Sequence, residues 1–262
     1  MSRKTVPFVL TLAVAWCMVC DAANLANPAV LIPAARVALG ASYDINGVTI
    51  TNNKVPCIFN RFSGRVSYAP FSLLNFGLDA GATQIDVAGD TTGKDTIGLF
   101  HGGYGFSGGG HIKFGTPFFF NDLVRGIAIF QGTIFSSEND AGATYGGQDA
   151  AGGLGVQFHI PSFGYVTAGS TVYLINGKNK GYAGGEGKYS NVNNVRGWLA
   201  LDYFPPEKIR SKNMLYVSLE LSVSPKVKFN GRAPVQEIGF SFSIGSITPR
   251  LYGQVSEVEW KP

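Results

Sequence analysis

Residues 215–224 read Leu-Tyr-Val-Ser-Leu-Glu-Leu-Ser-Val-Ser. Leu215, Val217, Leu219, Leu221 and Val223 alternate without a break with Tyr216, Ser218, Glu220, Ser222 and Ser224. Successive side chains of an extended strand point to opposite faces, so this period of two gives one apolar face and one polar face that carries a carboxylate. The same period recurs on both sides. Ile238, Phe240, Phe242 and Ile244 alternate with Glu237, Gly239, Ser241, Ser243 and Gly245. Phe62, Val66 and Tyr68 oppose Arg61, Ser63, Arg65 and Ser67. Tyr104, Phe106, Ile112 and Phe114 oppose Gly105, Ser107, His111 and Lys113. Leu199, Leu201 and Tyr203 oppose Arg196, Trp198, Ala200 and Asp202. Weaker alternation marks strands near 35–44, 74–87, 123–135, 152–160 and 164–175, about ten strands in all. The 74–87 segment changes phase near Gln84, which predicts a bulge. The 123–135 segment leaves its outer face undecided.

Punctuation sets the order of these strands. Pro70, Pro117, Pro161, Pro205 and Pro249 each follow a strand-like run, at spacings of 47, 44, 44 and 44. Proline cannot donate in a ladder and belongs at turns, so each period reads as one up-down hairpin. The connections at the prolines read as short. Those between them, such as Ser136–Asp149 and Asn176–Asn194, read as long and Gly/Asn-rich. A propeller blade of similar period needs four strands, and here there is room for two.

Both a soluble sandwich and a barrel in lipid have one apolar face per strand; the other face and the rims tell them apart. Closing the sheet gathers Arg36, Arg61, Arg65, Asp79, His111, Lys113, Arg196, Asp202, Glu220 and Glu237 around one lumen. Aromatics cluster beside the prolines: Tyr68, Phe71, Phe76, Phe114, Phe118, Phe119, Phe120, Phe158, Phe163, Tyr203 and Phe204. That is the place of an interfacial girdle. Charged residues are only 15% and Gly numbers 35 of 262, a balance suited to alternating lipid-facing and water-facing positions. Closure also pairs every backbone group where no water can. The expectation is therefore an all-β, transmembrane, up-and-down antiparallel barrel over 35–247.

The ends complete the organisation. Arg3 and Lys4 precede an apolar run from Thr5 to Cys20, and Cys20-Asp21-Ala22 offers small residues for cleavage after Ala22. Residues 1–22 read as a cleaved export signal, 23–34 as a short N-terminal segment and 248–262 as a C-terminal tail that either lies on the periplasmic side or adds strand structure. Cleavage leaves Cys57 as the one cysteine, so no internal disulfide forms. The net charge of +4 and the lack of long basic runs argue against nucleic acid.

The run Glu237-Ile238-Gly239-Phe240-Ser241-Phe242-Ser243-Ile244 resembles the final-strand assembly signal of bacterial outer-membrane β-barrel proteins: a polar residue, Gly239 two later, then Phe242 and Ile244 at alternate positions. The resemblance is architectural and covers 35–247. It implies an outer membrane of the Gram-negative type, contact with membrane lipid and recognition by the barrel-assembly machinery. In many members of the family this strand ends the chain; here Gly245–Pro262 follow, with Trp260 near the end.

For chemistry the sequence offers little. No metal or cofactor motif occurs. His111 and His159 are expected on polar faces of neighbouring strands near the short-turn rim, as lumenal imidazoles rather than a catalytic pair. Glu138, Asn139, Asp140 and Asp149 are expected as solvated loop residues, and Tyr145, Tyr182 and Tyr189 as exposed loop tyrosines facing any surface ligand. Inward Arg65, Trp198 and Tyr216 narrow the lumen, while Gly105, Gly239 and Gly245 leave room. Three functions follow: a narrow passive channel for small solutes with a mostly filled, charged lumen; a structural or interaction barrel acting through its external loops; and, least favoured, a membrane enzyme. No enzymatic activity is expected.

Overall fold

The computed structural model describes residues 29–51, 55–89, 99–181, 187–205, 213–226, 236–249 and 251. Residues 1–28, where an export signal is expected, Tyr182 and most of the tail lie outside the described residues. Among the described residues there are twelve strands and no helix. Ten form the wall: β1 (Arg36–Ile50), β2 (Val55–Phe71), β3 (Leu74–Val87), β5 (Gly105–Gly115), β6 (Val124–Glu138), β7 (Thr144–Ile160), β8 (Gly164–Lys180), β10 (Val195–Tyr203), β11 (Met214–Val223) and β12 (Ile238–Ile247). Each pairs antiparallel with the next. β12 returns to β1, from Ala38↔Ile247 to Asn46↔Gly239, and closes the sheet. Two short strands, β4 (Phe100–His101) and β9 (Gly187–Ser190), pair with β3 and β8.

The alternation works as expected through the lower part of the wall, the half nearer the proline turns. Leu39, Phe62, Val66, Leu78, Phe106, Leu154, Leu219 and Phe240 are exposed around the outside. Ser42, Ser63, Ser67, Ser107, Ser218, Ser241 and Ser243 are buried inside. On β6 the undecided face is settled: Arg125, Ile127, Ile129 and Phe135 are buried while Phe130 and Ile134 are exposed. Inward glycines do not all leave empty space. The Tyr216 ring lies over Gly40 and Gly245, where a Cβ would come within 2.3 and 2.5 Å of its hydroxyl.

Toward the other end the chemistry of the two faces reverses. Ile85 and Val87 are buried, whereas Gln84 and Asp86 turn outward. This corrects the bulge predicted at Gln84. The β2–β3 register runs unbroken from Cys57↔Val87 to Tyr68↔Phe76, and its irregularity lies at Tyr68/Phe71, beside the turn. The strand keeps its geometric phase while its surroundings change. The same reversal buries Val48, Ile50, Val55, Cys57, Phe59, Phe100, Tyr145, Tyr173, Ile175 and Tyr189 in one apolar cluster. On the outside it leaves polar Ser136, Glu138, Gln148, Asn176 and Lys178.

In this upper tier the ring has eight members. The segment from Phe100 to Gly103 continues the line of β5: Gly102 donates to the Ile85 carbonyl at 3.0 Å and Gly103 to the Glu138 carbonyl at 2.7 Å. β9 replaces β10, β11 and β12, which stop lower. It reaches β1 through Thr51 N–H to Ser190 O at 2.7 Å and Val192 N–H to Thr49 O at 2.8 Å. Ring contacts fill the interior, with centroids 5.3 Å apart for Phe59–Phe135, 4.6 Å for Phe100–Tyr145 and 5.5 Å for Tyr145–Tyr189.

Four further expectations are corrected. Tyr145 and Tyr189 belong to this core and are not exposed loop tyrosines. The long loop predicted at Ser136–Asp149 is largely strand, and that predicted at Asn176–Asn194 holds the end of β8 and all of β9, because β6, β7 and β8 run on past the apolar belt; only Asn139–Ala143 joins β6 to β7. The proline side is not uniformly short either, since Phe204–Asn213 separates β10 from β11. Finally, Phe204 is buried, with Phe118 packed against the same cluster as Tyr165 and Tyr216, so these two leave the predicted girdle for the interior.

Candidate functional site: a charged lumen closed at both ends

The lower lumen is filled by ion pairs and hydrogen bonds. Arg61 Nη2 meets Asp149 Oδ2 at 2.7 Å, and its Nε donates to Thr83 Oγ1 at 3.1 Å. Asp149 is thus an inward residue of β7, which corrects its assignment to a solvated loop. Arg65 pairs with Asp79. Asp44 faces both arginines and accepts from Ser241. Arg196 is fully buried; its Nη2 donates to Glu237 Oε2 at 3.0 Å and to the Gly47 carbonyl at 2.9 Å, beside Asn46 and under the Tyr173 ring. Glu237 Oε1 accepts from the Thr49 N–H at 2.7 Å. The polar residue of the assembly-signal stretch therefore bridges β12 to β1 and β10, while Phe242 and Ile244 of that stretch face outward and Gly239 inward. Lys113 lies in the field of Asp202, Asp79 and Glu220.

Sequence reading placed most of these residues on inward faces but missed Asp44, Arg125 and Asp149. Asp44 ends a stretch of small residues with weak alternation. Arg125 shares its inward face with Ile127 and Ile129, which hides the polar side of β6. Its Nε donates to Gln157 Oε1 at 2.8 Å, Gln157 Nε2 donates to Thr167 Oγ1 at 2.9 Å, and the guanidinium sits 4.5 Å from the Phe118 centroid.

His111 and His159 are not on neighbouring strands: β6 runs between β5 and β7. His159 lies against the Tyr165 ring at 5.1 Å. His111 Nε2 is 3.1 Å from Ser67 Oγ and its Nδ1 3.2 Å from Asp79 Oδ2. This is the order of a hydrolytic triad, but the space is wrong for one. A Cβ on Gly77 would lie 2.7 Å from Ser67 Oγ and 2.6 Å from His111 Cε1, so backbone occupies the place an acyl carbon needs. Arg65 also takes the other oxygen of Asp79. The trio acts as a strut between β2, β3 and β5.

What is left open is small. A cavity of about 50 Å³ lies among Asp44, Asn46, Arg61, Arg65, Asp79 and Tyr173, enough for a water or two. Above it stands the apolar core of the upper tier. Below it the chain itself closes the barrel: Ala29–Ala35 run inside the wall, every residue buried. Ile32 N–H donates to Asn75 Oδ1 at 2.6 Å and Asn75 Nδ2 returns a bond to Ile32 O at 3.3 Å. The backbone N–H groups of Ala29 and Val30 donate to Asp202. Leu31 lies against Gly115, where a Cβ would come within 2.3 Å of it. Residues 29–34 of the short N-terminal segment read at 23–34 thus form a plug, a role with no sign in their composition.

No family model and no curated protein matches the chain. Solved structures resemble its shape. The translocator domain of the autotransporter NalP from Neisseria meningitidis matches over 82% of this chain and 88% of its own, with 11% identity and a TM-score of 0.46. The outer-membrane protease OmpT from Escherichia coli matches over 81% and 95%, with 10% identity and a TM-score of 0.38. A mutant of the monoaromatic hydrocarbon channel TodX matches over 85% and 92%, with 10% identity and a TM-score of 0.30.

Proposed function

We propose that the chain is an outer-membrane barrel of a Gram-negative-type bacterium that holds its lumen closed and presents the eight-stranded upper tier, here called the cap, on the outer side. The observation that carries this reading is the double closure, plug below and apolar core above, with a cavity of about 50 Å³ between. The apolar belt supports a place in lipid: Leu78, Phe106, Leu154 and Phe62 are each more than half exposed, which in water would be a strong association liability. Both ends of the wall, Arg36 and Ile247, lie at the proline-turn side, which sets the cap on the other side. The barrel-assembly machinery is the partner during insertion, and the cap is the surface for later partners.

Planar-bilayer recording of the refolded protein tests this. The expected result is silence. The narrow passive channel remains the second reading, favoured by one observation: the plug is a separate segment rather than part of the wall. Steady openings in the intact protein, blocked by thiol coupling to a cysteine introduced at Ala34, would establish that reading and overturn ours.

A further inference from the structure

We propose that the outer face of the cap over β8 and β9 binds the phosphate-bearing glycolipid of the surrounding leaflet; this rests on the membrane reading above. Register sets Lys178 directly opposite Lys188 across the β8–β9 pair. Lys180 lies two residues farther along the same face of β8, opposite Thr144. Lys178, Lys180 and Lys188 are all exposed. Directly opposed residues hold their Cβ atoms about 5 Å apart, where like charges repel. No ion pair of any of the three appears among the described residues. An anion seated between the ammonium groups turns this repulsion into attraction. There is room for one, because the other neighbour of Lys178 is Gly146, which has no side chain.

The strip beneath the lysines identifies the anion's chemistry. Next toward the membrane, Asn176 pairs with Ser190, whose hydroxyl is 3.3 Å from that of Thr51. Below them come exposed Leu174 and the exposed pair Val172 and Val195. Read away from the bilayer, the surface offers apolar contact, then amide and hydroxyl groups, then three ammonium groups. That is the order of acyl chain, hydroxylated sugar and phosphate in a phosphorylated glycolipid. Lys178 is four residues past Leu174, about 13 Å along the strand, within reach of headgroups standing on the apolar belt.

The test uses the refolded full chain, titrated in detergent micelles with bisphosphorylated lipid A, with its dephosphorylated counterpart and with inorganic phosphate. Replacing the three lysines by Gln (Lys178→Gln, Lys180→Gln, Lys188→Gln) should weaken binding of the phosphorylated lipid roughly a hundredfold, since each Lys near an anionic surface contributes about fivefold. The three corresponding Arg replacements should retain it. Heat-modifiable gel mobility reports whether each variant folds; should the triple Gln chain fail, Lys180→Gln alone should still cost about fivefold. Equal affinity of the wild type for both lipids, or no loss in the Gln variants, would overturn the proposal. Full competition by inorganic phosphate at lipid-equivalent concentration would also overturn it, by showing a free-anion site. Failure of the membrane reading shows separately, as a wild-type chain that does not insert into phosphatidylethanolamine vesicles.

Discussion

Arg196 shows what a single side chain does in this lumen. It is fully buried, and its partners Glu237, Asn46 and Gly47 come from β1 and from the residue that precedes β12. Desolvating such a pair costs about as much as its attraction returns, but removing one member strands the other. Arg196→Met should therefore destabilise the barrel by about 3–5 kcal/mol, read by denaturant unfolding in micelles. Adding Glu237→Gln should restore most of the loss, because Gln keeps the acceptor for the Thr49 N–H without the charge. The rotation of this side chain into the lumen is legible in the sequence from the phase of 196–203 alone. Its partner is not, since nothing local to Glu237 says that β12 pairs with β1 at that height or that the Arg196 side chain of β10 reaches both.

At the scale of the element, β3 marks where sequence reading stopped short. Polar and apolar positions exchange at Gln84, and a period-2 pattern read without knowledge of the surroundings renders that exchange as a shift of register. The unbroken pairing of β3 with β2 shows that the medium changed and the strand did not. Ten strands were legible because each crosses the apolar belt with period-2 alternation, clean in five of them and weaker in the other five. The upper extensions of β6, β7 and β8 were not, because Gly- and Asn-rich stretches such as 144–149 and 176–180 look like loop when their partners are unknown. The plug was hidden for a related reason: Ala29–Ala35 is apolar on all sides, a pattern that fits a fully surrounded segment as well as a signal remnant. Its hold on the wall is testable. In Ala34→Cys the thiol should resist maleimide, with native Cys57 also buried. Adding Asn75→Ala removes two backbone hydrogen bonds of Ile32, each contributing about 1 kcal/mol. Labelling should then speed up by roughly tenfold or more. Equal protection in both proteins would mean that apolar packing alone seats the plug.

For the whole molecule, the exchange of faces divides one wall between two media. In the lower tier a charge on the outside meets lipid: Leu219→Arg should cost about 2–4 kcal/mol near the midplane, measured by refolding into vesicles. The inside is polar yet full, so tolerance there depends on space more than on charge. Ser218 is fully buried and bonded to Asp202, and Arg at that site should fail nearly as badly as at 219. Gln131, on the cavity wall with Arg61 and Arg65, should accept Glu with little loss. Equal damage from Gln131→Glu and Leu219→Arg would show that the faces are wrongly assigned. Arg65→Ala enlarges the cavity without touching either closure, so it should leave the bilayer silent.

The contact between Thr51 and Ser190 has a further consequence, for the order in which the molecule is made. It joins residues 139 positions apart, whereas the seam between β1 and β12 spans 211 at the contact of Val37 with Thr248. The cap can therefore become a complete circle from residues up to 192, while the last three wall strands are still unplaced. Once it has, the top of β1 is fixed and β12 no longer searches for its register across the whole chain. It zips downward from a set starting point, and the entropy of the large loop has already been spent. The cap is thus a template for the barrel beneath it, and a chain with Thr51 and Ser190 both replaced by Pro should insert slowly and in mixed registers even though neither residue belongs to the apolar belt.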